Sequence, residues 1–159
     1  MANTCYNLVQ FVGSNLNPIK NALTHAIEVT KTGAGWIPDK DKPMRALFSI
    51  DILNYEDDLI IFTCDSKWAP PIDALEEIAK EAKVNFMCRY QELGGSLFGQ
   101  YNYDASTEKL IDTCLSKEEL ATVTCNDFGE DIYEGEVVES KEEIYEGLLD
   151  DKLNALDLN

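Results

Sequence analysis

The sequence predicts an α+β fold: an antiparallel sheet with both helices on one face, an added β-hairpin, and an acidic C-terminal extension. Three observations predict it. Two stretches carry apolar residues at three- and four-residue spacing, stretches of two-residue alternation surround them in the order β-α-β-β-α-β, and acid content rises abruptly near Ser116. Apolar residues make up 45% of the 159 and charged residues 27%, enough for a packed core and too ordered a composition for wholesale disorder.

Thr4 to Val12 is rich in β-branched and aromatic residues and ends at Gly13-Ser14, which predicts a strand and a turn. Asn17-Pro18 predicts a helix N-cap followed by proline, with Ile19, Ala22, Leu23, Ala26 and Ile27 on one helical face. Residues Ala46 to Leu53 alternate Phe48, Ile50 and Ile52 with polar neighbours, Asn54 to Asp58 supplies a turn, and Leu59 to Cys64 is apolar enough for a central strand. A second helix follows Trp68-Ala69-Pro70-Pro71, with Ile72, Leu75, Ile78, Ala79 and Ala82 inward. Val84 to Tyr90 alternates again, which completes the order. Right-handed crossovers bring both helices of such a split β-α-β chain to one face, the ferredoxin-like arrangement. Leu97 to Tyr103 and Lys109 to Leu115 predict the extra hairpin. This body occupies residues 1–115.

The acid is unevenly spread. Residues 1–116 hold 16 acids and 10 bases, net −6, and residues 117–159 hold 14 acids and 3 bases, net −11. The extension, residues 116–159, contains two S-x-x-E capping boxes, at Ser116 and Ser140, and the second leads into a leucine stripe of Ile144, Leu148, Leu149 and Leu153 that docks a helix on the body. A total charge of −17 repels phosphate backbones and anionic lipids, which argues against direct nucleic-acid or membrane binding. No stretch reaches the roughly 20 apolar residues of a membrane span, and the start lacks a secretory signal, so a cytoplasmic location is expected. Five widely spaced cysteines without a C-x-x-C pair predict reduced, mostly buried thiols.

Three short motifs carry a resemblance: Asn3-x-Cys5-x-Asn7 with Gly13; Phe62-Thr63 with Trp68-Ala69-Pro70-Pro71; and Tyr90-x-Glu92-x-Gly94 with Phe98-Gly99. Over residues 3 to 103 the chain resembles the YubB-like family of ferredoxin-fold proteins from phages, plasmids and integrated mobile elements. The resemblance implies the ferredoxin-like fold without an iron-sulfur cluster and a mobile-element origin; it implies no established activity. Thr4 stands where that family carries a bulky aromatic, and Gly33-Ala34-Gly35-Trp36 is what remains of its tryptophan-rich loop.

No cofactor, metal site or catalytic set is expected. Soft ligands do not converge in spacing, phosphate-loop and nucleophile-elbow motifs are absent, and His25, the only histidine, reads as a packing or surface residue. Trp68, Tyr90, Glu92 and Phe98 form a candidate ligand cleft, against the plainer reading that Trp68 and its prolines fix a corner and that Gly94, Gly95 and Gly99 permit a tight turn or bulge. Asp127, Glu130, Asp131, Glu134, Glu136, Glu139, Glu142 and Glu143 form a candidate acidic surface, without the spacing of a calcium-binding loop. The expected function is non-enzymatic engagement of a basic, possibly nucleic-acid-binding, protein partner. The alternatives are a small-ligand domain or enzyme using the aromatic cleft, and a structural homo-oligomer using the open face of the sheet.

Overall fold

The computed structural model describes residues 3–92, 94 and 97–158. In chain order the elements are β1 (Thr4–Val12), α1 (Asn17–Thr30), β2 (Phe48–Tyr55), β3 (Leu59–Lys67), α2 (Ile72–Ala82), β4 (Asn85–Glu92), β5 (Leu97–Asp104), β6 (Lys109–Cys114), α3 (Lys117–Leu120), β7 (Val123–Cys125), β8 (Asp131–Tyr133), β9 (Glu136–Val137) and α4 (Lys141–Ala155). The first six strands form one antiparallel sheet in the order β2-β3-β1-β4-β5-β6. Its first four positions are the ferredoxin-like β-α-β-β-α-β core, and the β5–β6 hairpin widens it.

Alternation along the strands sends Val9, Phe11, Ile60, Phe62, Phe86 and Cys88 to one face, where they pack with Leu16, Ile19, Leu23 and Ala26 around α1 and Ala74, Leu75, Ile78 and Ala79 of α2. Phe11 stacks on Phe62 at a centroid distance of 6.2 Å. The N-cap of α1 is Leu16 rather than Asn17, which lies inside the helix, and the cap has no side-chain hydrogen bond. Pro18 starts this helix through its fixed φ, which suits the first turn.

A second core lies on the opposite face. Phe98, Leu115 and Leu120 pack there with Tyr145, Leu149 and Leu153. The inward stripe of α4 is therefore Tyr145-Leu149-Leu153, with Ile144 and Leu148 only half-buried. Both S-x-x-E sequences cap as their chemistry requires: Ser116 and Glu119 form a reciprocal box, and Ser140 Oγ accepts from Glu143 N at 3.2 Å. Tyr145 donates its hydroxyl to Leu120 O at 2.6 Å. Arg89, reaching out from β4, pairs with Glu146 and Asp150 of α4, and Lys152 ties that helix to Glu119 at 2.6 Å. The wide sheet is thus covered by α1 and α2 on one side and by α4 over its β4–β5–β6 half on the other. The outer strand β2 follows β3 with two register shifts, between Phe48 and Asp51 and between Ile52 and Asn54. Strands β7, β8 and β9 form a small separate antiparallel ribbon ahead of α4.

Candidate functional site

The residues of the N-terminal motif meet those of the tryptophan motif in a buried polar corner. Asn7, fully buried on the central strand, directs its amide nitrogen at Cys5 O (3.0 Å), Cys64 O (3.1 Å) and Ser66 Oγ (3.0 Å). Ser66 in turn donates to Ala69 O at 2.7 Å. A buried amide left unpaired costs about 1–3 kcal/mol, so these bonds fix the chain where β3 turns into α2. Trp68 stands at that turn in a left-handed conformation, φ 71°, with its N–H bonded to Asn3 O at 3.0 Å and its side chain half exposed. A bulky residue in that region is strained by about 1–2 kcal/mol, and the corner holds it there.

The four aromatic-cleft candidates do not all converge: Tyr90 and Phe98 border one small cavity of about 90 Å3 with Tyr6, Leu8 and Glu146, and neither Trp68 nor Glu92 is in its lining. Tyr90 and Glu92 point to the helix-covered side of β4, whereas Phe98 pairs with Gln91 and points to the other side, into the core beneath α4. A residue and its direct antiparallel partner share a face, so Phe98 and Glu92 lie on opposite faces of the sheet. Gly94 is exposed at the turn between these strands, and Gly95 lies outside the described residues. Tyr90 instead crosses Gly99, its partner on β5, and donates to Asp112 Oδ1 at 2.9 Å. Burial, reinforced by the Asp112 carboxylate, pushes the Tyr90 phenol far above its ordinary range and that of Tyr101 up to about 12. Such shifts oppose ionisation, the reverse of what an activated nucleophile or base requires. His25 is exposed on α1, and no group of three or more metal-ligating side chains gathers among the described residues.

A cavity of about 810 Å3 lies on the α4 side of the sheet, bordered by Asp157 and Leu158 just beyond that helix and with Gln10, Met87, Asn102 and Ile111 in its lining. Several of its polar side chains form a chain of hydrogen bonds: Arg89 Nε donates to Gln100 Oε1, Gln100 Nε2 to Asn102 Oδ1, and Asn102 Nδ2 to the backbone Leu158 O. Arg89 is also held by two carboxylates, so its charge is already matched.

The acidic candidates occupy the ribbon and the start of α4. Asp127, Glu130, Glu134, Glu136, Glu139 and Glu143 are exposed, and Asp131 and Glu142 are half-buried. Among the described residues none of the eight is in an ion pair, whereas Glu119, Glu146 and Asp150 nearby each hold a cation. Sequence reasoning missed one residue here. Phe128, at the tip between β7 and β8, is 89% exposed. The signal was an aromatic inside Asn126-Asp127-Phe128-Gly129-Glu130, a turn with no apolar periodicity to draw it inward.

The family model for the ferredoxin-like domain in Api92-like protein matches residues 48–146. The chain belongs to that family. No curated protein and no solved structure matches it. The matched region opens on the first residue of β2 and ends within α4, so it covers β2 to β6, α2, α3 and the acidic ribbon and leaves the central strand β1 and helix α1 outside it. It runs through Ser116, where the charge balance changes.

The cysteines separate into two classes within this domain fold. Cys5, Cys64 and Cys88 are buried and Cys114 and Cys125 exposed, all five free. Burial pushes the Cys5 thiol up to about 11 and those of Cys64 and Cys88 further, which suppresses the reactive thiolate. Titration of the native protein with a thiol-specific disulfide reagent should therefore show two fast-reacting thiols, and all five only in denaturant. A third fast thiol in the native protein would mean that the core around Cys5, Cys64 and Cys88 opens readily.

Proposed function

We propose that this protein is a non-enzymatic binding protein of a mobile element, and that it engages a basic protein partner through the acidic ribbon and the first turn of α4. The observation that carries this reading is that, among the described residues, eight carboxylates, six of them exposed, stand without a cation on the ribbon and at the start of α4, the helix that Arg89 and Lys152 fasten to the body. Unneutralised carboxylates project a field that speeds encounter with cationic surfaces and repels polyanions. The fold spends Arg89 and Lys152 on fastening α4 instead of neutralising the ribbon. The resemblance of residues 3–103 to YubB-like proteins supports the mobile-element setting, in which a protein that occupies the basic groove of a nucleic-acid-binding enzyme is of use to the element.

Affinity capture from a native host lysate tests the proposal. The retained proteins should be basic and should elute as salt rises, because the Debye length shrinks from about 10 Å at 0.1 M to about 3 Å at 1 M. Replacing the eight carboxylates by Asn and Gln should abolish their retention. Neutral or acidic partners that survive high salt, or unchanged capture by the neutralised variant, would overturn it.

A further inference from the structure

We infer that Phe128 is the anchor of this docking surface and that it inserts into an apolar pocket rimmed by Lys or Arg on the basic partner; this deepens the function proposed above and rests on it. No other large apolar side chain among the described residues approaches its 89% exposure, the next being Val137 of the same ribbon at 59%. A tail that served only solubility has no use for an aromatic at its outermost point.

The backbone beneath the ring is tightly held. Asn126 Oδ1 accepts from both Phe128 N and Glu130 N at 3.0 Å, Asn126 N donates to Glu130 O at 3.0 Å, and Gly129 N donates to Asn126 O at 3.0 Å. Gly129 takes φ +83°, which closes the turn without the penalty a side chain would bring. An aromatic displayed on a fixed loop loses little freedom on binding, the property of interface anchors. Asp127 and Glu130 flank Phe128 in sequence and hold no cation among the described residues, Glu130 Oε2 accepting only from the neutral Asn126 Nδ2 at 2.9 Å, so a complementary pocket must bring positive charge to its rim. Nucleic acid fails that requirement through repulsion of its phosphates.

The test uses the full-length protein and two synthetic probes of equal charge: a short amphipathic helical peptide of leucine and lysine, and its counterpart with every leucine replaced by serine. At low salt Phe128→Ala should weaken binding of the leucine–lysine peptide about ten-fold and leave the serine–lysine peptide unchanged. Asp127→Asn with Glu130→Gln should weaken both. Phe128→Trp should retain binding, and its added fluorescence should shift to the blue only with the leucine–lysine peptide. If Phe128→Ala binds that peptide as tightly as the parent, or the parent does not distinguish the two peptides, the anchor is refuted while the charge-based function stands. If neither peptide binds the parent, both are refuted.

Discussion

Leu149→Ala should destabilise the protein by about 2–5 kcal/mol, read as a lower urea midpoint. Leu149 has no exposed surface and sits among Phe98, Leu115, Leu120, Tyr145 and Leu153. Truncating it removes the isopropyl end of the side chain, one methine and two methyls, from a layer whose other wall is the sheet itself, which cannot shift to fill the space. The Arg89 ties to Glu146 and Asp150 are partly exposed and contribute little, and the buried hydrogen bond from Tyr145 to Leu120 O contributes about 0.5–1.5 kcal/mol, less than the apolar contacts. The acidic ribbon is positioned by the same layer, so the variant should also bind basic peptides more weakly. A loss below about 1 kcal/mol would mean that α4 is an accessory to the body and that the ribbon keeps its place without it.

Gly99→Ala should cost about 1–3 kcal/mol through overpacking. A Cβ at this position would lie 2.5 Å from Tyr90 Oη and 2.8 Å from Thr113 O, one a buried phenol and the other backbone of β6. Tyr90 is fixed by Asp112 on the far side of the glycine and by Tyr101, whose ring centroid is 5.3 Å away, so it has little room to yield. A double-mutant cycle separates the contributions. Tyr90→Phe alone should lose about 1 kcal/mol with the hydrogen bond. Combined with Gly99→Ala it should recover part of the glycine penalty, because the nearest clashing atom is then gone. Strict additivity in urea melts would show that Gly99 matters only to the β6 backbone.

The core of the fold was legible because its strands alternate cleanly and its helices keep one apolar face each. Val84, Phe86, Cys88 and Tyr90 all point to the side their spacing indicated. The aromatic cleft was misread for a different reason. Beyond β4 the sheet is covered on both sides, so Phe98 and Tyr103 are each buried on opposite faces of one strand and the two-residue pattern no longer says which is which. The face taken by Phe98 is set by the pairing of Gln91 with Phe98, a long-range property that composition does not encode. In α4 the residues Ile144 and Leu148 compete with Tyr145 and Leu149 as neighbouring stripes of equal period. Tyr145 wins because its ring meets Phe98 edge-on at 5.6 Å and its hydroxyl reaches a carbonyl. The capping signature at Ser116 was readable locally because it needs only four residues; the carboxylates of the candidate surface were readable as charge, and their freedom from cations only in three dimensions.

The irregular pairing of β2 with β3 limits how any neighbour can approach the molecule. A visiting chain that reads main-chain groups by lengthening a sheet needs an even row of free amides and carbonyls along its border. The two slips in β2, together with Ser49 held at φ 48°, break that row at this border. Recognition there is left to side chains, and a partner has to be selected by its shape and charge.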